Sequence, residues 1–352
     1  MNRNTKLDIA YKSIVIITLV LLALIYAGNL IMPILFSGMV TVILLPFSTF
    51  LEKRGLGRGL SSFITVLLVS IFLIGIIFII LIQSQEIIKE IPRLFEEKEN
   101  FLSIHNLGIE SETLYSFIES HSATIEENLD TFKDGLMNIL RNSLIGIKDI
   151  LTFLILCPIY IFFMLLCRDN IYNFISAYHK KKSVDEDDDI IDDVKESLYH
   201  YLKGLFVIMT ISGTLTFIGL YFIGIEYAFF LGVLTAILTP IPYIGVIISA
   251  TIPIILALLT KDSMWYVAGV LIVFSIVQFL EGYVFTPKIM GNNVNVNPLM
   301  IILGLFVLGS LAGILGMVLT VPFLAITKVI IDYYPHLRPW KYLLEDKKSA
   351  KE

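Results

Sequence analysis

Three polar side chains recur at every third position inside an apolar run: Ser275, Gln278 and Glu281. Residues three apart on an α-helix are neighbours on its surface, so these three could line a polar track. A charge at the centre of a membrane helix costs about 2.5–3.5 kcal/mol on insertion scales, and a retained carboxylate therefore usually faces protein or water. This pattern predicts a proton or cation site, or a contact with a polar substrate, at Glu281.

A second interpretation of Glu281 stays open from the sequence. Thr286, Pro287 and Lys288 follow within seven residues, so the carboxylate could lie at the outer interface, hydrated and paired with Lys288. Under this interpretation Glu281 has no part in transport.

The elements that carry these side chains are membrane helices. Hydrophobic residues make up 56% of the 352 positions and charged residues 16%, and the mean hydropathy is +0.82. A bilayer core about 30 Å thick needs roughly 20 mostly apolar residues per helical crossing. The sequence predicts an all-α polytopic membrane protein with about eight transmembrane or re-entrant helices, at 14–32, 33–51, 60–83, 151–167, 205–225, 228–259, 264–285 and 298–331.

Six regions follow from these runs. We expect membrane helices over 1–83, an extracytoplasmic segment of amphipathic helices over 84–150, a fourth membrane helix over 151–168 and a cytoplasmic charged loop and helix over 169–204. The C-terminal membrane helices occupy 205–334, and a cytoplasmic tail occupies 335–352.

Proline and glycine break several of the C-terminal runs. Broken or re-entrant helices are tolerated in a bilayer only where the freed backbone groups meet protein or water, and in transporters they often mark the substrate site. The predicted break positions are Pro240, Pro242, Gly245, Gly282, Pro287 and Gly291. In the last run, Gly309 and Gly313 match the small-x-x-x-small pattern of close helix packing, within the chain or between copies of it.

The Lys and Arg residues of the loops set the expected orientation. With both termini in the cytoplasm, the inner loops collect most of them, including Lys261, while the short outer loops hold only Lys288. We expect a multi-pass protein of the bacterial cytoplasmic membrane.

The sequence lacks the motifs of several classes of function. The chain has no G-x-x-x-x-G-K-[ST] loop, so transport would draw on a gradient or on another subunit. H-E-x-x-H, Cys/His metal spacing and G-x-S-x-G are absent too, and no basic nucleic-acid patch is visible. The sequence thus predicts neither an enzyme nor a cofactor. Cys157 and Cys167 are expected to remain thiols, because ten residues span about 15 Å of helix.

Several stretches, spread along nearly the full length, resemble one family. They are LEKRGLGRGLSS (51–62), ESLYHYLKGL (196–205), LTPIPYIGVIISATIPI (238–254), QFLEGYVFTPKIMG (278–291), NPLMIILG (297–304) and GILGMVLTVPFLAI (313–326). Their order and spacing are similar to those of the autoinducer-2 exporter family of bacterial membrane proteins. Val246 departs from that pattern, which has a proline there.

The resemblance implies a gradient-driven exporter of a small polar molecule such as autoinducer-2, with Tyr243, Gln278 and Glu281 as contacts. Some relatives look like sodium or proton antiporters, so a Na⁺(K⁺)/H⁺ antiporter centred on Glu281 is the alternative. A third hypothesis, from another class, is a non-transporting membrane scaffold whose outer helical segment binds a partner. The expected partners are the lipid bilayer, a small polar solute and H⁺ or Na⁺, and the family is compatible with a homo-oligomer.

Overall fold

The computed structural model describes residues 28, 31–99, 147–180, 190–261, 263–290 and 296–344. Within these ranges the ordered elements are all helices. They are α1 (Ile31–Lys53), α2 (Arg58–Glu99), α3 (Ile147–Leu166), α4 (Arg168–Lys180), α5 (Ile190–Ile223), α6 (Ala228–Leu238), α7 (Ile244–Thr260), α8 (Met264–Leu280), α9 (Pro298–Tyr333) and α10 (Lys341–Leu344). A π-helical turn, Glu281–Phe285, and an α-helical turn, Thr286–Met290, extend α8, and a 3-10 helix, Pro335–Trp340, precedes α10.

The all-α polytopic fold is confirmed. In the described part of the chain, five segments are by length and composition able to cross a membrane: Ile31–Lys53, Arg58–Ile87, Ile190–Ile223, Met264–Met290 and Pro298–Tyr333. The last of these is folded back on itself. The pair α3–α4 makes a sixth if its two helices, bent by 69°, are taken together. The predicted first span lies almost entirely outside the described residues, so the count of eight stays a prediction.

The structure describes some of the predicted regions fully and others only in part. α2 continues past the expected boundary at residue 83 to Glu99, so the start of the 84–150 segment is one helix with the third span. Two ranges lie outside the described residues: 100–146, with most of the predicted outer helices, and 181–189, with part of the predicted charged loop. Both cysteines are free thiols, as predicted.

The predicted sixth span is a helical hairpin. α6 rises only about 16 Å at roughly 1.5 Å per residue, about half of the hydrocarbon thickness. The chain then reverses at 239–243, where Pro240 and Pro242 lie, and a Cβ added to Gly245 would collide with the carbonyl of Leu238 on the other arm. Pro253, in contrast, lies inside α7 without ending it.

α9 reverses as well, at two non-helical residues inside the run Pro298–Tyr333. Along a continuous helix Gly304 and Thr320 would lie about 24 Å apart. In the structure a Cβ on Gly304 would lie 2.6 Å from Cγ2 of Thr320, and one on Gly309 would lie 2.9 Å from Cε of Met317. The reversal is at Ala312 and Gly313, where Gly313 has φ 59° and ψ −143°, a region open essentially only to glycine. We therefore describe α9 as a second hairpin with arms 298–311 and 314–333.

The two hairpins enter the bundle from opposite ends. Both feet of the α6–α7 hairpin lie beside the end of α5, where Leu231, Leu256 and Leu220 share one core and Lys261 pairs with Glu226 at 3.9 Å. Both feet of the α9 hairpin lie at the opposite end, where Val296 and Ile331 pack together. α9 begins there as the sequence indicates, with the Asn297 side chain accepting from the backbone N–H of Leu299 and proline at the next position.

Two long helices join the hairpins. α5 and α8 are antiparallel, because Gly204 lies against Met290 at one end of the pair and Gly219 against Val273 at the other. Each is followed by one hairpin, so 190–260 and 264–333 form two units of the same plan and opposite direction. Inverted units of this kind are common in secondary transporters and leave little trace in sequence.

The hairpins correct one expectation about the loops. Because α6–α7 returns to the end at which it began, Lys261 lies beside Glu226 rather than across the bilayer from it. Lys288 lies near the start of α5, where Met290 and Leu198 share a core. The prediction placed Lys261 on the same side as Lys203 of α5 and Lys288 on the opposite side, and the structure reverses both placements relative to Lys203.

α1 to α4 are tied to one another by ion pairs, and Ile87 of α2 packs in the core with Leu220 of α5. The guanidinium of Arg168 donates two hydrogen bonds to the carboxylate of Glu52, at 2.9 and 2.7 Å, and that of Arg58 donates to Asp169 at 2.6 Å. These bonds connect the start of α4 to both sides of the turn between α1 and α2. Ser37 of α1 also donates to the carbonyl of Cys157 on α3, at 3.3 Å.

The α9 hairpin predicts a specific disulfide. In a variant without Cys157 and Cys167, the pair Gly304→Cys and Thr320→Cys should crosslink on mild oxidation, because a Cβ on Gly304 lies 4.0 Å from Cβ of Thr320, within disulfide range. Electrophoretic mobility after cleavage between the two positions measures the bond. Gly304→Cys with Thr327→Cys is the matched control, because these two positions are out of register across the hairpin and should stay unlinked. Absence of the crosslink between positions 304 and 320 would contradict the hairpin and indicate a straight helix.

Candidate functional site at Glu281

Glu281 is half-buried and lies on the same side of the helix as the buried residues of α8. Val270, Phe274 and Val277 are buried at the helical spacing of four and three residues, and Glu281 follows after four more. Its carboxylate accepts a hydrogen bond of 2.8 Å from the hydroxyl of Ser212 on α5, which is fully buried. The hydrogen-bond partner of Glu281 is thus Ser212 on the neighbouring helix rather than Lys288 on its own.

The π-helical turn places Glu281 at a change of helix geometry. The carbonyl of Glu281 accepts from the backbone N–H of Thr286, five residues on, instead of four. The next residue, Pro287, has no N–H to offer, so the regular ladder could not continue unchanged through this point. π-turns of this kind occur often at functional sites. Gly282 and Pro287, both predicted breaks, lie in or beside this turn, and Gly291 lies outside the described residues.

A second buried hydroxyl extends the site along α5. Thr216 lies one helical turn beyond Ser212 and is fully buried, yet its Oγ1 has no hydrogen-bond partner within the described part of the chain. Buried polar atoms nearly always have a partner, and an unsatisfied one calls for an explanation such as a water or an ion. The carboxylate of Glu281 and the hydroxyls of Ser212 and Thr216 are oxygen groups that can form further hydrogen bonds.

The tip of the α6–α7 hairpin lies near the same level of the bundle. A Cβ on Gly213, next to Ser212, would lie 2.7 Å from Cβ of Ala236 and 2.8 Å from the carbonyl oxygen of Gly232. α6 therefore runs in direct contact with α5 here and reverses a few residues later. The glycines permit this approach because neither places a side chain between the helices.

Tyr243 occupies an unusual backbone conformation at that tip. It has φ 64° and ψ −56°, and the N–H of Ile244 donates to the carbonyl of Pro242 at 2.7 Å, which closes a γ-turn around it. This turn is rare and strained for a residue with a side chain. The ring is 50% exposed although it stands at the inner end of a re-entrant hairpin. Strained residues of this kind cluster at active sites, ligand clamps and switch regions.

The predicted polar track divides. Three-residue steps drift by about 60° around a helix each time, so Ser275 and Glu281 point in different directions. Ser275 is exposed, Gln278 is half-buried and Glu281 turns inward to α5. In the α9 hairpin, Gly309 contacts the opposite arm at Met317, whereas Gly313 forms the reversal itself and a Cβ there would meet nothing within 4 Å.

Sequence reasoning missed Ser212, Gly213 and Thr216. The signal was present as hydroxyl residues at alternate positions of an apolar run, Thr210, Ser212, Thr214 and Thr216. Thr210 and Thr214 are exposed and donate to carbonyls of their own helix, whereas Ser212 faces Glu281. Only the packing of α5 against α8 separates these roles.

Taken together, the helices and hairpins define a polytopic α-helical membrane protein with a polar centre between inverted units. The sequence profile described as AI-2E family transporter matches residues 14–336. The chain belongs to this family of membrane transporters, which confirms the resemblance inferred from sequence.

Curated relatives are similar over most of their length. The chain is 27% identical over 321 residues to the candidate transport protein YrrI of Bacillus subtilis (strain 168), with 87% of each chain covered. It is 28% identical over 317 residues to the candidate transport protein YueF of the same organism, covering 87% of this chain and 84% of the relative. The candidate transport protein YhhT of Escherichia coli (strain K12) is 24% identical over 321 residues, covering 87% and 85%.

The close contact between α5 and α6 yields a prediction for Gly213. Gly213→Ala should lower the free energy of unfolding by about 1–3 kcal/mol, because its methyl group would overlap backbone that cannot move aside. Gly282→Ala is the matched control, since a Cβ there has no atom within 4 Å. Thermal unfolding of the purified proteins in detergent compares them, and equal losses in both variants would contradict the predicted close packing.

Proposed function

We propose that the protein is a gradient-driven transporter that exports a small polar molecule, such as autoinducer-2 or a related solute. The observation that carries the proposal is the hydrogen bond from Ser212 to Glu281, which joins two polar side chains between the antiparallel membrane helices α5 and α8. Its family and its relatives, candidate transport proteins, support transport rather than an enzymatic reaction.

A carboxylate at this position suits coupling to a gradient. Burial disfavours its charged form, so a carboxylate of this kind is most stable when it holds a proton or a cation, or when water reaches it. Alternating exposure to the two sides of the membrane would then load and release the ion. The same chemistry supports the second candidate, a Na⁺(K⁺)/H⁺ antiporter in which the ions themselves are the cargo.

The opposed hairpins suit access from both sides. Each hairpin ends its helices inside the bilayer, and such helix ends expose backbone carbonyls or N–H groups that can face a solute. Movement of the α6–α7 hairpin would open the polar centre toward one side, and movement of the α9 hairpin toward the other. The hydroxyls of Ser212, Thr216 and Tyr243 offer hydrogen bonds to a polyhydroxylated or hydrated cargo.

For the orientation we propose cytoplasmic termini. α5 then begins on the cytoplasmic side, the α6–α7 hairpin enters from outside and the α9 hairpin from inside. Arg54, Arg58, Arg168 and Lys203 all fall on the cytoplasmic side, as the positive-inside rule requires. A homo-oligomer in the bacterial cytoplasmic membrane is part of the same proposal.

Glu281→Gln tests the coupling directly. In proteoliposomes with an imposed pH gradient, the variant should lose transport, because the amide keeps the shape of the side chain but can neither bind nor release a proton. Flux of sodium, potassium and autoinducer-2 is followed separately, which distinguishes export from cation/proton exchange.

Glu226→Gln is the matched control, since this exposed carboxylate pairs with Lys261 at the hairpin feet. It should transport like the wild type. Equal flux in wild type and Glu281→Gln would remove Glu281 from the mechanism, and no flux of any tested ion or solute in the wild type would count against transport itself.

Tyr243 provides a second test. Tyr243→Gly should relieve about 1–3 kcal/mol of backbone strain yet lower the transport rate severalfold, because the ring at the hairpin tip is lost. Tyr243→Phe separates the hydroxyl from the ring. Tyr227→Gly is the matched control, a tyrosine that also has positive φ but stands at the hairpin foot. If Tyr243→Gly transports at the wild-type rate, the tip has no role in the pathway.

A further inference from the structure

The helix α4 has an apolar face that no described part of the protein covers. Ile171, Phe174 and Ile175 share this face at the spacing of three and four residues. They are 41%, 73% and 45% exposed, and Phe174 is among the more exposed large apolar residues of the chain. Residues of this type in a continuous stripe indicate a surface made for an apolar partner.

The rest of the protein contacts α4 on another side. Asp169 accepts from Arg58 at 2.6 Å, the hydroxyl of Tyr172 donates to Asp192 at 3.4 Å, and Ser176 is buried. At about 100° per residue, these three lie more than a quarter turn away from the centre of the apolar stripe. The apolar face is therefore turned away from the bundle and outward.

The position of α4 along the chain places it at the membrane surface. It follows the membrane helix α3 after the single residue Cys167, at a bend of 69°. Because membrane helices are tilted by only about 20° on average, a helix bent this far from one runs close to the plane of the bilayer. The paired hydrogen bonds from Arg168 to Glu52 hold this corner against the end of α1.

We propose that α4 is an interfacial helix whose face of Ile171, Phe174 and Ile175 inserts between the lipid headgroups and the upper acyl carbons of the bilayer. Basic residues near its start fit the headgroup level, since Arg168 is its first residue, Lys53 ends α1 and Arg54 lies in the adjoining turn. The stripe is too small to serve as a stable protein interface, which buries about 800 Å² per partner. Asp169 and Arg58 connect the inserted helix to the first turn of α2, so α4 anchors the α1–α3 group to the membrane surface.

Single-tryptophan fluorescence in the full-length protein tests this placement. Trp265 and Trp340, the two tryptophans of the chain, are replaced by phenylalanine, and a tryptophan is introduced by Phe174→Trp or, as the matched control, by Asn173→Trp on the polar side. Each protein is reconstituted in vesicles whose lipids carry a nitroxide quencher near the headgroup or at the end of the acyl chain, and iodide is used as the aqueous quencher.

The tryptophan of Phe174→Trp should be quenched severalfold more by the shallow nitroxide than by the deep one, and should be shielded from iodide. The tryptophan of Asn173→Trp should be quenched more by iodide than by either lipid nitroxide. Equal iodide quenching of the two would overturn the proposal, as would stronger quenching of Phe174→Trp by the deep nitroxide. Protection of Phe174→Trp from both lipid and iodide would overturn it too, because protein would then cover the face.

Discussion

Backbone groups inside a bilayer must find hydrogen-bond partners within the protein, and the C-terminal half of this chain is arranged around that constraint. A hairpin that reverses within the hydrocarbon exposes its turn where water is absent. At 239–243, Pro240 and Pro242 have no N–H to satisfy, and the N–H groups of Thr239, Ile241 and Ile244 donate to nearby carbonyls. The turn therefore closes on itself, and its strain at Tyr243 is part of that closure.

Close packing extends the same solution to the helices. Gly213 and Gly232 bring α5 and α6 into backbone contact, and Gly316 lies against the backbone carbonyl of Leu308 across the two arms of α9. Lipid offers no hydrophobic drive for helices to associate, so dispersion contacts between closely approaching backbones carry much of the stability. A larger side chain at these points would separate the arms and expose the turns, which links each glycine to the integrity of a re-entrant hairpin.

The hydrogen bond between Glu281 and Ser212 and the ion pairs among α1, α2 and α4 have different physical roles. Glu281 accepts a hydrogen bond from Ser212 between two membrane helices, where an unpaired charge is costly. Glu52, Arg168, Arg58 and Asp169 form partly exposed ion pairs that join the start of α4 to α1 and α2. The first arrangement suits a site that changes state, and the second suits a frame that does not.

The sequence by itself determined the all-α membrane class, the family and the break at Pro240–Gly245, because hydropathy and proline act locally, and it singled out Glu281 as a carboxylate in an apolar run. It could not show that α9 folds back on itself, since the contacts of Gly304 with Thr320 depend on one φ/ψ pair at Gly313. Nor could it identify Ser212 as the partner of Glu281, or the exchange of sides of Lys261 and Lys288. Those features follow from the antiparallel packing of α5 on α8 and from the hairpins, which only the tertiary structure decides.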